Sequence, residues 1–166
     1  LLLQVLPGVA ELQASPGFSH DAVGDAASIA AHGVLHKYAG RALLIATGSC
    51  AVHCRYCFRR HFPYAMHTAA AARWQAAIDH LAADESISEV ILSGGDPLSL
   101  SRARLGELGH ALARSPHIRR LRIHTRLPVV LPERVERELL EWLASLPLQR
   151  VVVLHANHAN ELDASV

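Results

Sequence analysis

A chain of 166 residues and 18.0 kDa, 51% hydrophobic and 19% charged, suits one domain or a piece of a larger one. It excludes global disorder, which needs few apolar residues and an excess of like charge. A formal net charge of +1 gives no broad attraction to nucleic acid or an anionic membrane. The apolar runs are short and broken by Gly, Pro or charge, and no signal peptide opens the chain, so a cytoplasmic protein with no membrane or nucleic-acid partner is expected.

Along the chain, residues 1–33 read as an irregular lead-in of loops and a helix, and residues 34–166 as the core. Arg41–Thr47 reads as a buried strand around Leu43, Leu44 and Ile45. Thr68–Ala83 reads as a helix, with Trp74, Ala77, Ile78 and Leu81 at i, i+3, i+4, i+7 spacing. Ser88–Ser93 is a second strand, and Leu105, Leu108 and Leu112 stripe the next helix. Arg119–His124 is a third strand. Pro132 then opens a helix with Val135, Leu139, Trp142, Leu143 and Leu146 on one face, and Arg150–His155 is a fourth strand. Strands alternating with helices in this way predict an α/β fold with a parallel sheet covered by helices. Four parallel strands leave an open edge, and the chain starts on Leu1 within an apolar stretch. A fragment truncated after about the fourth strand is the expectation.

Each strand is followed by a polar cluster. In order these are Cys50, Cys54 and Cys57; Ser93-Gly94-Gly95-Asp96-Pro97; His124-Thr125-Arg126; and His155-Ala156-Asn157-His158. In parallel α/β folds the C-terminal strand ends share one edge, where ligands bind, so the four clusters should line one mouth. All three cysteines of the chain lie between 50 and 57, an odd, clustered set that reads as metal ligation rather than a disulfide framework. Three thiolates can hold three irons of a [4Fe–4S] cluster and leave the fourth open. The alternative is a structural Cys₃His zinc site completed by His61. Lys37 is the single lysine among sixteen basic residues.

Cys-x3-Cys-x-aromatic-Cys, with Tyr56 as the aromatic, resembles the signature of the radical S-adenosylmethionine (SAM) superfamily. The resemblance extends to His36-Lys37-Tyr38, the stretch from Cys54 to Arg60, Ser93 to Leu98, Arg122 to Pro132 and His155 to Glu161. In that order and spacing these segments are similar to the lysine 2,3-aminomutase family, and within it to the branch that makes (R)-β-lysine for modification of translation elongation factor P. The fold so implied is part of a radical-SAM (β/α)6 TIM-like barrel.

The resemblance also implies roles. Cys50, Cys54 and Cys57 would hold a [4Fe–4S] cluster whose open iron takes SAM. Tyr56 would lie near the adenine, and Ser93, Gly94, Gly95 and Asp96 near the methionine ammonium. Arg59 would pair with the carboxylate of an L-lysine substrate, and Arg126, Lys37 and Tyr38 would contact pyridoxal 5′-phosphate (PLP). Many family members carry Arg at the position of Lys37. Beyond these cofactors no side chain is assigned a catalytic role, and His124, His155, Asn157 and His158 line the mouth without assigned roles. The implied activity is a radical isomerase converting L-α-lysine to (R)-β-lysine, with an electron donor such as flavodoxin or ferredoxin, and a homo-oligomer is among the expectations. The glycine-rich lysine segment that binds PLP and the acids that hold the substrate ammonium have no counterpart here, so the chain alone is expected to be inactive. The competing readings are a radical SAM enzyme without PLP and a non-catalytic zinc or iron–sulfur module.

Overall fold

The structure, a computed structural model, describes residues 1–67 and 71–166. Its centre is one six-stranded sheet. Ile29–Ala31 (β1), Val34–Tyr38 (β2), Arg41–Thr47 (β3), Glu89–Gly94 (β4), Arg120–Thr125 (β5) and Gln149–Leu154 (β6) lie side by side in sequence order. β3 to β6 are mutually parallel, as the alternating pattern predicts, whereas β1 and β2 run antiparallel. The observed strands match the expected ones to within a residue at each end. The difference lies upstream, because the lead-in contributes β1 to the sheet and the β1–β2 hairpin spans residue 33. Ile29–Ala31 is too short for its period-two alternation to stand out from a loop.

Side chains alternate across each strand, and that alternation sorts the sheet into two faces. Ala42, Leu44 and Ala46 of β3, Val90 and Leu92 of β4, and Leu121 and Ile123 of β5 join one buried core. The helices Ala71–Ala83 (α2), Arg102–Ala113 (α3) and Arg137–Ser145 (α5) cover that face. They contribute Trp74, Ala77, Ile78 and Leu81, then Leu105, Leu108 and Leu112, then Leu139, with Leu146 just beyond α5. Each fully buried aliphatic side chain contributes about 1.5–3 kcal/mol. Thr68–Ala70, the expected start of the second-layer helix, lies outside the described residues.

The opposite face carries charge. Glu89 is buried and accepts from Arg122 Nε and, at 3.3 Å, from Arg120 Nη1. Burial alone would raise the Glu89 carboxyl, but the two guanidiniums hold it below its usual range. Two residues further along β5, His124 points from the same face at the mouth of the sheet.

The helix expected to open at Pro132 begins only at Arg137, after two short pieces. Leu127–Val130 (α4) ends at Leu131, whose φ of −151° is non-helical, as the steric demand of a following proline dictates. Pro132–Arg134 makes one 3-10 turn, and α5 starts only at Arg137. Val135 is consequently exposed instead of packing with Leu139. Among the described residues no helix is long and apolar enough to cross a membrane.

Candidate functional site

The loop after β3 is the most irregular part of the sheet's C-terminal edge, and it carries the three cysteines. Successive tight turns fold it: Cys57 N donates to Cys54 O at 3.1 Å, Arg60 N to Cys57 O at 3.1 Å, and Phe62 N to Arg59 O at 3.0 Å. The short helix Tyr64–His67 (α1) follows, and Tyr64 OH donates to Gly94 O at 2.8 Å. The N-terminal segment straps this loop from outside, with Gln4 O accepting from Arg55 N at 2.7 Å. Glu11 pairs with Arg55 and, at 2.9 Å, with Arg60. The Arg60 and Gly8 hydrogen bonds hold the Glu11 carboxyl down at about 2.

The clusters after the four parallel strands do share one mouth. They line a cavity of about 410 Å³ that includes Cys50, Cys54, Cys57, Tyr56 and Arg59 from the first loop, Ser93 to Asp96 from the second, His124 and Arg126 from the third, and His155 and Asn157 from the fourth. That volume falls within the range of small-molecule sites. Lys37 and Tyr38 are not among the lining residues. β2 is antiparallel to β3, so Tyr38 pairs with Arg41 at the end of the sheet away from the cysteine loop. There Lys37 Nζ donates to Val23 O, and Tyr38 is 61% exposed beneath the Arg41 guanidinium. His158 is likewise turned aside, its Nδ1 accepting from Asn160 N at 3.1 Å.

Several of the residues expected at a ligand already have partners within the protein. Asp96 is 7% exposed and its carboxylate is saturated: Oδ1 accepts from Leu98 N at 3.0 Å and from the Thr125 hydroxyl at 2.7 Å, and Oδ2 from Arg126 N at 2.7 Å and Leu127 N at 2.9 Å. It ties the end of β4 to the start of α4 and has no lone pair left for a ligand ammonium. Gly94 and Gly95 are required by the neighbouring loop as much as by any ligand. Gly94 has φ +106°, and a Cβ there would lie 2.7 Å from Thr47 O. A Cβ on Gly95 would lie 2.3 Å from Ser49 O, within a contact where Gly95 N donates to Thr47 O and Asp96 N to Ser49 O. Gly95→Ala is therefore expected to push the cysteine loop off β4 and to cost about 3 kcal/mol, measurable as a lower midpoint in urea unfolding.

Arg59 keeps the substrate-facing position but is already braced. Its Nε donates to Asp25 Oδ2 at 2.7 Å, Nη1 reaches the Ser93 hydroxyl at 3.4 Å, and the guanidinium lies over the Phe58 ring. Arg126 is a hub rather than an open guanidinium. Nη1 donates to Cys54 Sγ at 2.9 Å and Tyr56 OH at 2.7 Å, and Nη2 donates to Gln4 Oε1 at 2.6 Å and Glu161 Oε1 at 2.8 Å. The Asn157 N–H, more than the Arg126 charge, keeps Glu161 below its usual range. Asp25, Gln4 and Glu161 were missed as site residues, because isolated polar residues in irregular segments carry no periodic or spacing signal.

The three thiols are free. Among the described residues no three His, Cys, Asp or Glu side chains converge as a single metal ion needs, and His61 stacks on His20 in a separate hollow, with ring centroids 4.2 Å apart. The Cys₃His zinc arrangement is thus not assembled. A four-iron cluster asks less convergence, since each thiolate takes its own iron, and three cysteines around one cavity fit that donor set. Of the three residues expected at PLP, Arg126 lines this cavity while Lys37 and Tyr38 lie outside its lining. Burial, aided by the Asp96 carboxylate, pushes the Cys50 thiol up to about 11. Without metal, Cys50 should carry roughly 100-fold less thiolate near neutral pH than an ordinary thiol. Mass spectrometry of iodoacetamide-treated protein should find its alkylation correspondingly slow and accelerating with pH.

Residues 44–162 match the family model of the Radical SAM superfamily. This chain belongs to the radical SAM superfamily. The L-lysine 2,3-aminomutase of Escherichia coli (strain K12) is 49% identical to this radical SAM chain over 163 residues, 98% of the chain and 47% of the relative. That of Haemophilus influenzae is 48% identical over 98% of the chain and 48% of the relative. That of Clostridium subterminale is 33% identical over 96% and 38%. The chain thus spans about half the length of the first two relatives. The matched region begins within β3 and takes in every cluster around the cavity, so the radical SAM core and the mouth of the sheet coincide.

Proposed function

We propose that this chain is the cluster- and SAM-binding part of a cytoplasmic lysine 2,3-aminomutase that converts L-α-lysine to (R)-β-lysine for modification of elongation factor P, with a flavodoxin- or ferredoxin-type protein as electron donor. The observation that carries the reading is the opening of three free cysteines onto one cavity whose other walls are the ends of four parallel strands. A [4Fe–4S] cluster held by these cysteines would supply the single electron that SAM needs for reductive cleavage to methionine and a hydrogen-abstracting 5′-deoxyadenosyl fragment.

The chain's own residues supply position and shelter. Cys50, Cys54 and Cys57 would hold three irons of the cluster, and Tyr56, whose hydroxyl is fixed by Arg126, would flank the nucleoside. Arg59, aligned by Asp25, offers a planar fork to the substrate carboxylate. Asp96 and the two glycines set the loop-to-loop contact that shapes the cavity. PLP enters the reading through the similarity to aminomutases, while Lys37 and Tyr38 lie away from the cavity. That displacement favours a second reading, a radical SAM enzyme without PLP.

The test is anaerobic reconstitution of the protein that contains this chain. A broad iron–sulfur absorbance, a reduced EPR signal altered by SAM, and conversion of L-lysine to β-lysine are expected. One tightly bound zinc with neither iron nor sulfide overturns the reading. Turnover with no PLP absorbance selects the second one.

A further inference from the structure

A buried polar atom without a partner is rare in folded proteins and calls for a reason. On the cavity wall His124 Nε2 is such an atom. β4 and β5 are in register through Leu92 and Ile123, so the next residues along, Ser93 and His124, are neighbours at the mouth. The Ser93 hydroxyl already accepts from Arg59 Nη1, while Asp25 occupies Arg59 Nε on the far side. The His155 ring meets the His124 ring edge-on, with centroids 5.4 Å apart and an interplanar angle of 80°. Burial above all, then the His155, Arg122 and Arg59 charges, lowers the His124 pKa. The imidazole thus stands beside a guanidinium on the cavity wall with Nε2 buried and unpartnered.

We propose that His124 is a specificity-determining residue that, together with Arg59 and Ser93, binds the α-carboxylate of the amino-acid substrate, its Nε2–H donating to one carboxylate oxygen. This rests on the aminomutase reading above and adds a residue to it. The chemistry follows from the three groups. A guanidinium takes a carboxylate through parallel N–H donors, and a neighbouring imidazole N–H adds a further hydrogen bond. A desolvated donor with no acceptor is unfavourable until such a ligand arrives. A site built to pair with a polar group also rejects analogues lacking it far better than an apolar pocket does.

The experiment uses the protein that contains this chain, reconstituted without oxygen. His124→Leu should raise KM for L-lysine at least tenfold with kcat changed less than threefold. His124→Gln, whose amide N–H reaches nearly the same point, should recover most of the loss. Binding of cadaverine, which lacks the carboxylate, should be equal in wild type and His124→Leu. Independently of turnover, the His124 ring nitrogen signals in long-range ¹H–¹⁵N spectra should move with L-lysine and stay in place with cadaverine. An unchanged KM overturns the proposal, as does a response of His124 to SAM alone. A melting temperature lowered equally in both variants, without ligand, makes His124 a core residue and also overturns it. If wild type binds SAM but no L-lysine, the aminomutase reading itself fails. If wild type binds L-lysine and His124→Leu binds it equally, only this inference fails.

Discussion

Asp96→Ala is expected to lower the unfolding free energy by about 4 kcal/mol, a large share of the roughly 5–15 kcal/mol that holds a domain together. The carboxylate accepts four hydrogen bonds at 2.7–3.0 Å, three of them from backbone N–H groups. Hydrogen bonds to a charged group contribute about 1.5–3 kcal/mol each, and a buried donor left without an acceptor costs about 1–3 kcal/mol. These contributions are not independent, so the sum is discounted to the figure given. Asp96→Asn should fall between the two, since one amide oxygen can serve two donors while the amide nitrogen faces the rest. Urea unfolding followed by circular dichroism reads both. An Asp96→Ala protein as stable as wild type, yet unable to bind SAM, would return Asp96 to the ligand-binding role that the resemblance implies.

Replacing any one of Cys50, Cys54 or Cys57 with Ser should abolish the reconstituted iron–sulfur absorbance and reduce SAM cleavage by roughly 100-fold or more. Changes to groups that merely orient a metal's ligands already cost about 10–100-fold, and removing a ligand exceeds that. Iron and sulfide analysis of the anaerobic protein, beside a count of 5′-deoxyadenosine formed, checks the expectation. The fold should survive, because all three side chains are only partly buried on a loop and none belongs to the core behind the sheet. A Cys54→Ser protein that keeps a full cluster would mean that Arg126, which donates to Cys54 Sγ, marks that thiol as a structural contact.

The architecture was readable because its signals are periodic. Val90, Ile91 and Leu92 form the near-continuous apolar run of a parallel-sheet strand, and Leu105, Leu108 and Leu112 repeat at the helical spacing, so the alternation of strands and helices followed. The cysteine spacing was readable for a different reason: three thiols within eight residues have few chemical uses. Segments whose conformation depends on a distant neighbour were not legible. β1 exists because β2 offers it a pairing edge, and the turn at Pro132 because Leu131 cannot stay helical before proline. Asp25 is a site residue only because a loop carrying Arg59 folds against it.

From residue order alone came the parallel sheet, the convergence of four strand-end clusters and the kinship of the cysteine motif, because each depends on local spacing along one chain. Tertiary structure decided which residues in those clusters are free to meet a ligand. Asp96 spends its carboxylate on three backbone donors and the Thr125 hydroxyl, and Arg126 spends its two terminal nitrogens on four partners. Lys37 and Tyr38 stand at the far end of an antiparallel strand, and His124 keeps a nitrogen unspent at the mouth. The reason is physical: a side chain's availability depends on every donor and acceptor that folding brings within about 3 Å of it, and that sum is taken over neighbours remote in sequence.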